Sequence, residues 1–251
     1  MKCLALCFLV AATVGCTVRT VPDPNDPTRV TPNQATVMRN QLRWASDAAN
    51  ERVYKHEISP DQAKQLVTQY AAQLSKAYNA KLLNAQNAWM FGEVLLSSQN
   101  WKLAEGALQR AVKDAKDDDR RVNDSLRLAE VEAHLNKVDE AMRLVRSTFN
   151  VPDFAKAPIL PAVLFTIVPA AEGQNHDVEL AQLLKESIEQ HKQTVVNPKI
   201  PAGKLFILAR PHHIKKAWEK VYKLYNDSGH PDLAQQAWKD AQKDLTPKYS
   251  A

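Results

Sequence analysis

Side chains suited to metal, acid–base or nucleophilic work are present in this chain but poorly grouped. It has 7 His, none in the His-Glu-x-x-His spacing that puts two zinc ligands on one helix face. His212 and His213 are adjacent, so on a helix they diverge by about 100° and do not share a metal. All three Cys (Cys3, Cys7 and Cys16) fall in the first sixteen residues, which leaves no thiol nucleophile beyond them. There is no Gly-x-Ser-x-Gly elbow, and 6 Gly in 251 residues supply no glycine-rich phosphate loop. Asp117-Asp118-Asp119 lacks the spaced oxygens and the Gly of a calcium loop and reads as an acidic helix start. Glu is plentiful, and nothing singles one out as a lone glycan-cleaving acid. These residues point to a non-enzymatic binding protein with neither cofactor nor metal.

Charge is more informative. Residues 191–251 hold 11 basic and 5 acidic side chains, against 21 and 23 in residues 16–190. Lys216, Lys220 and Lys223 stand at i, i+4 and i+7, on a helix face opposite Trp218, Val221, Tyr222 and Tyr225. Three readings of that face are open: a seat for a carboxylate or other acidic ligand, attraction to anionic lipid headgroups, or a solvated basic helix.

The elements that must position such residues are helical. Ala, Gln, Lys, Leu and Glu dominate, all helix formers, and scarce Gly argues against tight-turned sheets. In residues 87–116, Trp89, Gly92, Leu95 and Leu96 share one stripe. A break at Ser97–Asn100 follows, and Trp101, Ala104, Leu108 and Ala111 resume at spacings of three and four. This pattern resembles a tetratricopeptide repeat, in which small residues (here Gly92, Ala104 and Ala111) stand where two antiparallel helices touch. Trp218, Tyr225, Gly229, Ala234, Trp238, Ala241 and Pro247 resemble a second copy, with Tyr222 where a small residue is usual. Leu128, Ala129, Ala133, Asn136, Ala141, Val145 and Phe149 resemble a third.

Ala104, Ala141 and Ala234 mark these second helices, and Ala63 and Ala181 are further candidates. The five are spaced 41, 37, 40 and 53 residues apart, against about 34 in a regular repeat. The expected fold is all-α, an irregular α-α hairpin superhelix of about four to five helix pairs over residues 34–251, with an insertion at about 157–210. Ser59-Pro60 reads as an N-cap and first turn; Asp118, Asp119 or Asp124 begins the helix of Leu128, and Asp177 begins another. By the resemblance, the first helix of each pair lines a concave groove. It would present Gln86, Trp89 and Glu93; then Asn123, Arg127, Glu130 and His134; and finally Lys216, Glu219, Lys223 and Asn226, with Lys220 on the same basic face.

Within the insertion, residues 157–171 are strongly apolar but hold Pro158, Pro161 and Pro169, which interrupt a long helix. No apolar run reaches the roughly 18 residues of a membrane span. The segment is either a buried helix closing the core or a flap that meets a partner. Residues 194–211 form a connector whose apolar cluster, Leu205 to Ala209, reads equally as a strand or a helix.

At the N-terminus, Lys2 precedes the apolar run Cys3–Val14, the pattern of a secretory signal peptide over residues 1–15. Thr13-Val14-Gly15-Cys16 resembles a bacterial lipobox, which implies cleavage before Cys16 and an acyl (palmitate) anchor on it. Pro22, Pro24, Pro27 and Pro32 make residues 16–33 an extended tether. The expectation is a lipoprotein of the bacterial cell envelope, held by its lipid at the outer membrane with the domain in the periplasm. Its partner would be a protein or peptide segment of an envelope assembly or secretion complex, and not nucleic acid despite the basic pI. A periplasmic small-ligand binder and a peptidoglycan-acting enzyme are the alternatives.

Overall fold

Residues 33–246 are described by a computed structural model, in which every regular element is helical. The elements are α1 (Asn33–Tyr54), α2 (Pro60–Ser75), α3 (Ala88–Ser97), α4 (Trp101–Lys113), α5 (Asp118–His134) and α6 (Val138–Ser147). Three short pieces follow, α7 (Asp153–Lys156), α8 (Ile159–Ala162) and α9 (Val168–Ala171), the last two joined by a π turn at Val163–Ile167. The chain ends in α10 (Asp177–Gln193), α11 (Pro201–Asp227) and α12 (Pro231–Leu245). Long helices pack mainly on their neighbours in sequence: α1 on α2, α3 on α4, α4 on α5, α5 on α6, α10 on α11 and α11 on α12, with α3 also against α1 and α2. The residues expected to form a signal peptide, Cys16 and most of the expected tether lie outside the described residues, as does Pro247.

Local chemistry starts several of these helices. Ser59 caps α2 reciprocally: its Oγ accepts from the Gln62 amide at 3.2 Å while Gln62 Oε1 accepts from the Ser59 amide at 2.8 Å, satisfying two donors that a helix start leaves orphaned. The cap of α5 is Asp117, which accepts from the Arg120 amide at 2.7 Å. Asp124 is therefore not a helix start; it lies two turns inside α5 and is fully buried.

Three hairpins close with one turn geometry. Gln99, Asn136 and Gly229 adopt left-handed φ of 58°, 59° and 80°. The next residue's amide then reaches back five positions: Asn100 to Leu95 O at 3.1 Å, Lys137 to Glu132 O at 2.9 Å, and His230 to Tyr225 O at 2.9 Å. This bond satisfies carbonyls that the helix end exposes. That residue has ψ of 69°, 58° and 65° in turn, and the second helix begins directly after it. Five residues beyond each left-handed position stands a buried alanine: Ala104, Ala141 and Ala234. Seven residues before it stand Gly92, Ala129 and Tyr222. A Cβ on Gly92 would lie 2.5 Å from Leu108 Cδ2, so α3 and α4 approach as closely as a missing side chain permits. Tyr222 turns outward instead and meets Trp238 edge-on, with ring centroids 6.3 Å apart.

Two apolar cores meet on α5. One gathers Met38, Leu42, Phe91, Leu95 and Leu108 around Leu128 and Val131; the other gathers Ile159, Leu160, Ile167, Leu183, Leu184, Val221 and Leu224 around Val122, Leu126, Ala129 and Ala133. The apolar segment 157–171 belongs to the second core and packs on α5. Its full helical run, Asp153–Ala171, is 19 residues long with mean hydropathy 1.7. It thus does reach the length and apolarity of a membrane span, contrary to the sequence expectation, yet Ile159, Leu160, Val163, Ile167, Val168 and Ala171 are buried in the protein itself. Pro169 brings no amide donor to the carbonyl of Phe165, and the preceding turn widens to a π turn in which the Val168 amide donates to Val163 O. The connector expected over 194–211 is shorter than its sequence suggests, because α11 starts at Pro201 and runs through Pro211 to Asp227.

Between α10 and α11 a histidine is sealed in. His191 is buried, and among the described residues neither ring nitrogen has a hydrogen-bond partner. Its ring centroid lies 4.6 Å from that of Phe206 and 5.7 Å from that of His213. Arg210 stacks on Phe206 at 4.6 Å and donates to Thr194 O at 2.5 Å. Burial, then His213 and Arg210, push His191 down to about 4.

Two outcomes are expected. A left-handed residue with a Cβ costs about 1–2 kcal/mol, so Gln99→Gly stabilises by about 1 kcal/mol in urea unfolding and Gly229→Ala destabilises by a similar amount. His191 stays neutral in the fold, with its pKa below the unfolded value, so its contribution is whole above about pH 6.5. That contribution is lost as pH falls toward 4, by on the order of 3 kcal/mol. Unfolding of His191→Phe across this window checks it: the variant loses less stability than wild type between pH 7 and 4.

Candidate functional site

One face of α5 carries Arg120, Asp124, Arg127, Glu130 and His134 at successive intervals of four, three, three and four, with Asn123 beside them. Because α5 has apolar cores on its other sides, this face opens toward α1, α2 and α3. Its first half closes into a ring of charges and one aromatic. Arg39 Nε of α1 donates to Glu93 Oε2 of α3 at 2.7 Å, and Arg127 Nη2 lies 3.8 Å from the same oxygen. Arg127 Nη1 donates to Asp124 Oδ1 at 3.4 Å, and Arg120 Nη1 is 3.8 Å from that atom. The ring is completed by Trp89, over whose indole lie the guanidinium carbons of Arg120 at 3.6 Å and Arg39 at 4.5 Å, within cation–π range.

Asp124 is the strained member. Burial raises its carboxyl above the usual range, Arg120 and Arg127 draw it down, and Glu93 pushes it up. Its Oδ2 is buried without a hydrogen-bond partner among the described residues. The two arginines, by contrast, keep about a third of their side chains in solvent.

The second half of the face borders an open cavity of about 480 Å³, lined by α1 (Ser46, Asn50), α2 (Lys64, Thr68), the α3–α4 turn (Gln99, Trp101) and α5 (Glu130, His134). His134 stacks on Trp101 with ring centroids 3.9 Å apart and planes 11° from parallel. Burial and then Lys64 lower the His134 pKa. Burial raises Glu130, while the Thr166 hydroxyl on the π turn, Lys64 and Arg127 pull it down. The arrangement is a polar groove with an aromatic wall, an acid poised toward its neutral form and a neutral imidazole.

Of the residues expected in a groove, Trp89, Glu93 and Arg127 meet in the ring, and Glu130 and His134 share the cavity. Asn123 and Gln86 are exposed, the former donating to Asp119 O at 2.8 Å. The C-terminal lysines are engaged elsewhere. Lys216 pairs with Glu219 at 2.8 Å; Lys220 and Lys223 converge on Glu172, just beyond α9, and Lys223 also lies 3.4 Å from Asp227. Glu172 and Asp227 together thus offset the charges of Lys220 and Lys223 from within the fold. Asn226 lines a separate cleft with Tyr222, Gln235 and Trp238.

Sequence reasoning did not find Arg39, Lys64, Trp101, Arg120, Asp124 or Thr166 as site members. The α5 residues among them were accessible, since Arg120 and Asp124 continue the stripe of Arg127, Glu130 and His134. Arg39, Lys64 and Thr166 come from elements whose register against α5 no local pattern encodes. Comparison with family models, curated proteins and solved structures finds no match.

Asp124→Asn tests the ring. Its folded pKa lies above the unfolded value of 3.8, so the ionised side chain costs stability at neutral pH and the cost vanishes as pH falls through the carboxylate range. The partly solvated arginines tolerate loss of the charge, and the expected result is a gain of about 1 kcal/mol at pH 7. Denaturant unfolding at pH 7 and pH 3.5 checks it; the advantage is smaller at the lower pH.

Proposed function

We propose that this chain is an envelope lipoprotein, anchored through Cys16, that works as an interaction adaptor. Tetratricopeptide-like hairpins would present the groove over α1, α2, α3 and α5 to a segment of a partner protein. The observation that carries this reading is the continuous face of α5: a rigid ring around Trp89 at one end and the open, Trp101-walled cavity at the other. An extended peptide needs backbone hydrogen-bond partners along its length and a pocket for occasional side chains. Asn50, Ser46, Thr68 and Gln99 supply the first and the Trp101–His134 stack the second.

Support for the repeat reading comes from the turn shared by three hairpins and from the small residues Gly92 and Ala129, each twelve residues before the alanine of its second helix. Irregularity enters after α6, where α7–α9 and the long α11 depart from that plan. The anchor and the envelope address rest on the signal-peptide pattern and the lipobox resemblance alone.

A second reading has its own observation. Glu130, with its raised pKa, faces Lys64 and His134 in a cavity large enough for a small polar ligand, the setting in which a carboxyl acts as a proton donor. A peptidoglycan fragment is the ligand class that an envelope address suggests.

One experiment separates the two. A photoreactive residue at Gln99 or Thr68, in full-length protein expressed in a bacterial envelope, is expected to capture a discrete protein. Glu130→Arg combined with Trp101→Ala abolishes that adduct, and a probe placed at Gln235, in the other cleft, does not form it. A sugar-containing adduct without protein would support the second reading instead. Capture of neither would overturn the groove as a binding site. In the same cells, Cys16→Ser moves the chain from the membrane to the soluble fraction.

A further inference from the structure

Between Glu189 and Glu219 the chain contains no carboxylate, yet residues 190–218 hold Lys192, Lys199, Lys204, Arg210, Lys215 and Lys216. The fold commits three of these: Lys192 to Asp244 at 2.8 Å, Arg210 to Thr194 O and the face of Phe206, and Lys216 to Glu219. Lys199, Lys204 and Lys215 form no ion pair among the described residues and are exposed. The same stretch exposes large apolar side chains: Val195 is 71%, Ile200 49%, Leu205 67%, Ile207 44% and Leu208 76% exposed.

These side chains are ordered by α11. Its inner face carries Gly203, Ile214, Ala217 and Val221, all buried. At 100° per residue the opposite stripe carries Leu205, Leu208, His212 and Lys215, with Lys204 beside it. The connector packs directly on the helix: a Cβ on Gly203 would fall 1.9 Å from the carbonyl oxygen of Asn197. The first turn of α11 and the 194–200 connector are therefore a single tight unit. Phe165, 52% exposed, adjoins it through an edge contact of 5.9 Å with His213. None of these residues lines the groove or the clefts described above.

We propose that the outer face of the first half of α11 is a docking face for an anionic phospholipid surface. Its apolar stripe runs along the outside of a helix instead of lining a concavity, which suits a flat acyl boundary. Side chains of such a stripe enter an interface by about 5–10 Å. Lys199, Lys204 and Lys215 flank the leucines, and their long stems let the ammonium groups reach headgroup phosphates while the leucines enter. The acids beside this stretch are few and paired: Asp153 accepts from the Val195 amide at 3.3 Å and lies 3.5 Å from Lys156, and Glu219 pairs with Lys216, so a negative surface meets little repulsion here. This face is separate from the α5 groove, so the proposal stands or falls independently of it, and it adds a second contact to whatever holds the N-terminus at a membrane.

The test is hydrogen exchange of the full-length protein, with vesicles of phosphatidylglycerol mixed equally with phosphatidylcholine, with phosphatidylcholine vesicles, and without lipid. Amides of residues 201–210 are expected to slow about tenfold with the anionic vesicles only, and to recover in about 0.5 M salt, where charge attraction is screened. Leu205→Asp/Leu208→Asp, at exposed positions that leave the helical circular dichroism unchanged, abolishes the protection. Lys199→Glu/Lys204→Glu/Lys215→Glu does the same. Exchange that is identical in all three conditions overturns the proposal. Equal protection on the neutral vesicles overturns it as well, since charge complementarity then plays no part. Protection that grows with protein concentration in the absence of lipid assigns the face to a second copy of the chain and also overturns it.

Discussion

Burial of α5 between two apolar cores is the constraint on which the rest depends. Leu128 and Val131 face one core, and Val122, Leu126, Ala129 and Ala133 face the other. A helix held on two sides has one stripe left for polar side chains, and here that stripe takes Arg120, Asp124, Arg127, Glu130 and His134. Asp124 is drawn so far into the structure that desolvation outweighs two neighbouring arginines. Such a cost is retained where geometry is worth more than stability. The geometry in question is the fixed placement of Trp89 and Glu93 of α3 against Arg39 of α1. Three helices that already share an apolar core through Met38, Leu42, Phe91, Leu95, Leu128 and Val131 are thereby tied on their polar side as well, beside an open cavity.

The hairpins are held by backbone chemistry more than by side-chain identity. Gln, Asn and Gly occupy the same left-handed position in the three matching turns, and the residue that follows is Asn, Lys or His. What recurs is a small residue at each crossing and a reach-back amide bond at each turn. Side chains then fasten particular turns. Lys137, at the start of α6, pairs with Glu132 of α5 at 3.2 Å and with buried Glu105 of α4, so the second turn is tied to the preceding hairpin. Asp244 of α12 accepts from Trp218 Nε1 at 3.1 Å and pairs with Lys192 of α10, joining three helices at one carboxylate.

The helices were legible from spacing, because periodicity is a local property; the small crossing residues and the groove positions on α5 came from the tetratricopeptide resemblance. Ala104, Ala141 and Ala234 could be aligned from sequence, and each is buried where the second helix starts. Legibility ends where the answer depends on partners remote in sequence. The row of Lys216, Lys220 and Lys223 looks like a free basic face until Glu172 is seen to take two of its members across 48 and 51 residues. Residues 157–171 looked interrupted by proline, but proline breaks a helix only if the freed carbonyl and the clash have no outlet. A π turn ahead of Pro169 provides one. In α11 likewise, Pro211 removes one donor without ending the helix, and Leu205 to Ala209, ambiguous by pattern, become part of a 27-residue helix.

Polar and apolar surfaces are divided between different elements, and the division bears on how each can bind. The α5 groove offers aromatic faces, hydroxyls, amides and carboxyls in a concave setting with nearly balanced charge; such a surface selects by shape and hydrogen bonding, since net attraction is small. The outer stripe over the first half of α11 is convex, with exposed Leu205 and Leu208 beside Lys204 and Lys215 and no acid before Glu219; it has little means of selecting a sequence and strong means of favouring an interface that is both oily and negative. Exposed leucines lower solubility in isolation, and a soluble domain gains nothing from keeping them. Their retention on a helix braced by Gly203, Asn197 and the sealed His191–Phe206–Arg210 contact is consistent with a surface that must hold its shape when water on one side is replaced by lipid. Rigidity behind both faces would let recognition in the groove and attachment along α11 proceed without competing for the same side chains.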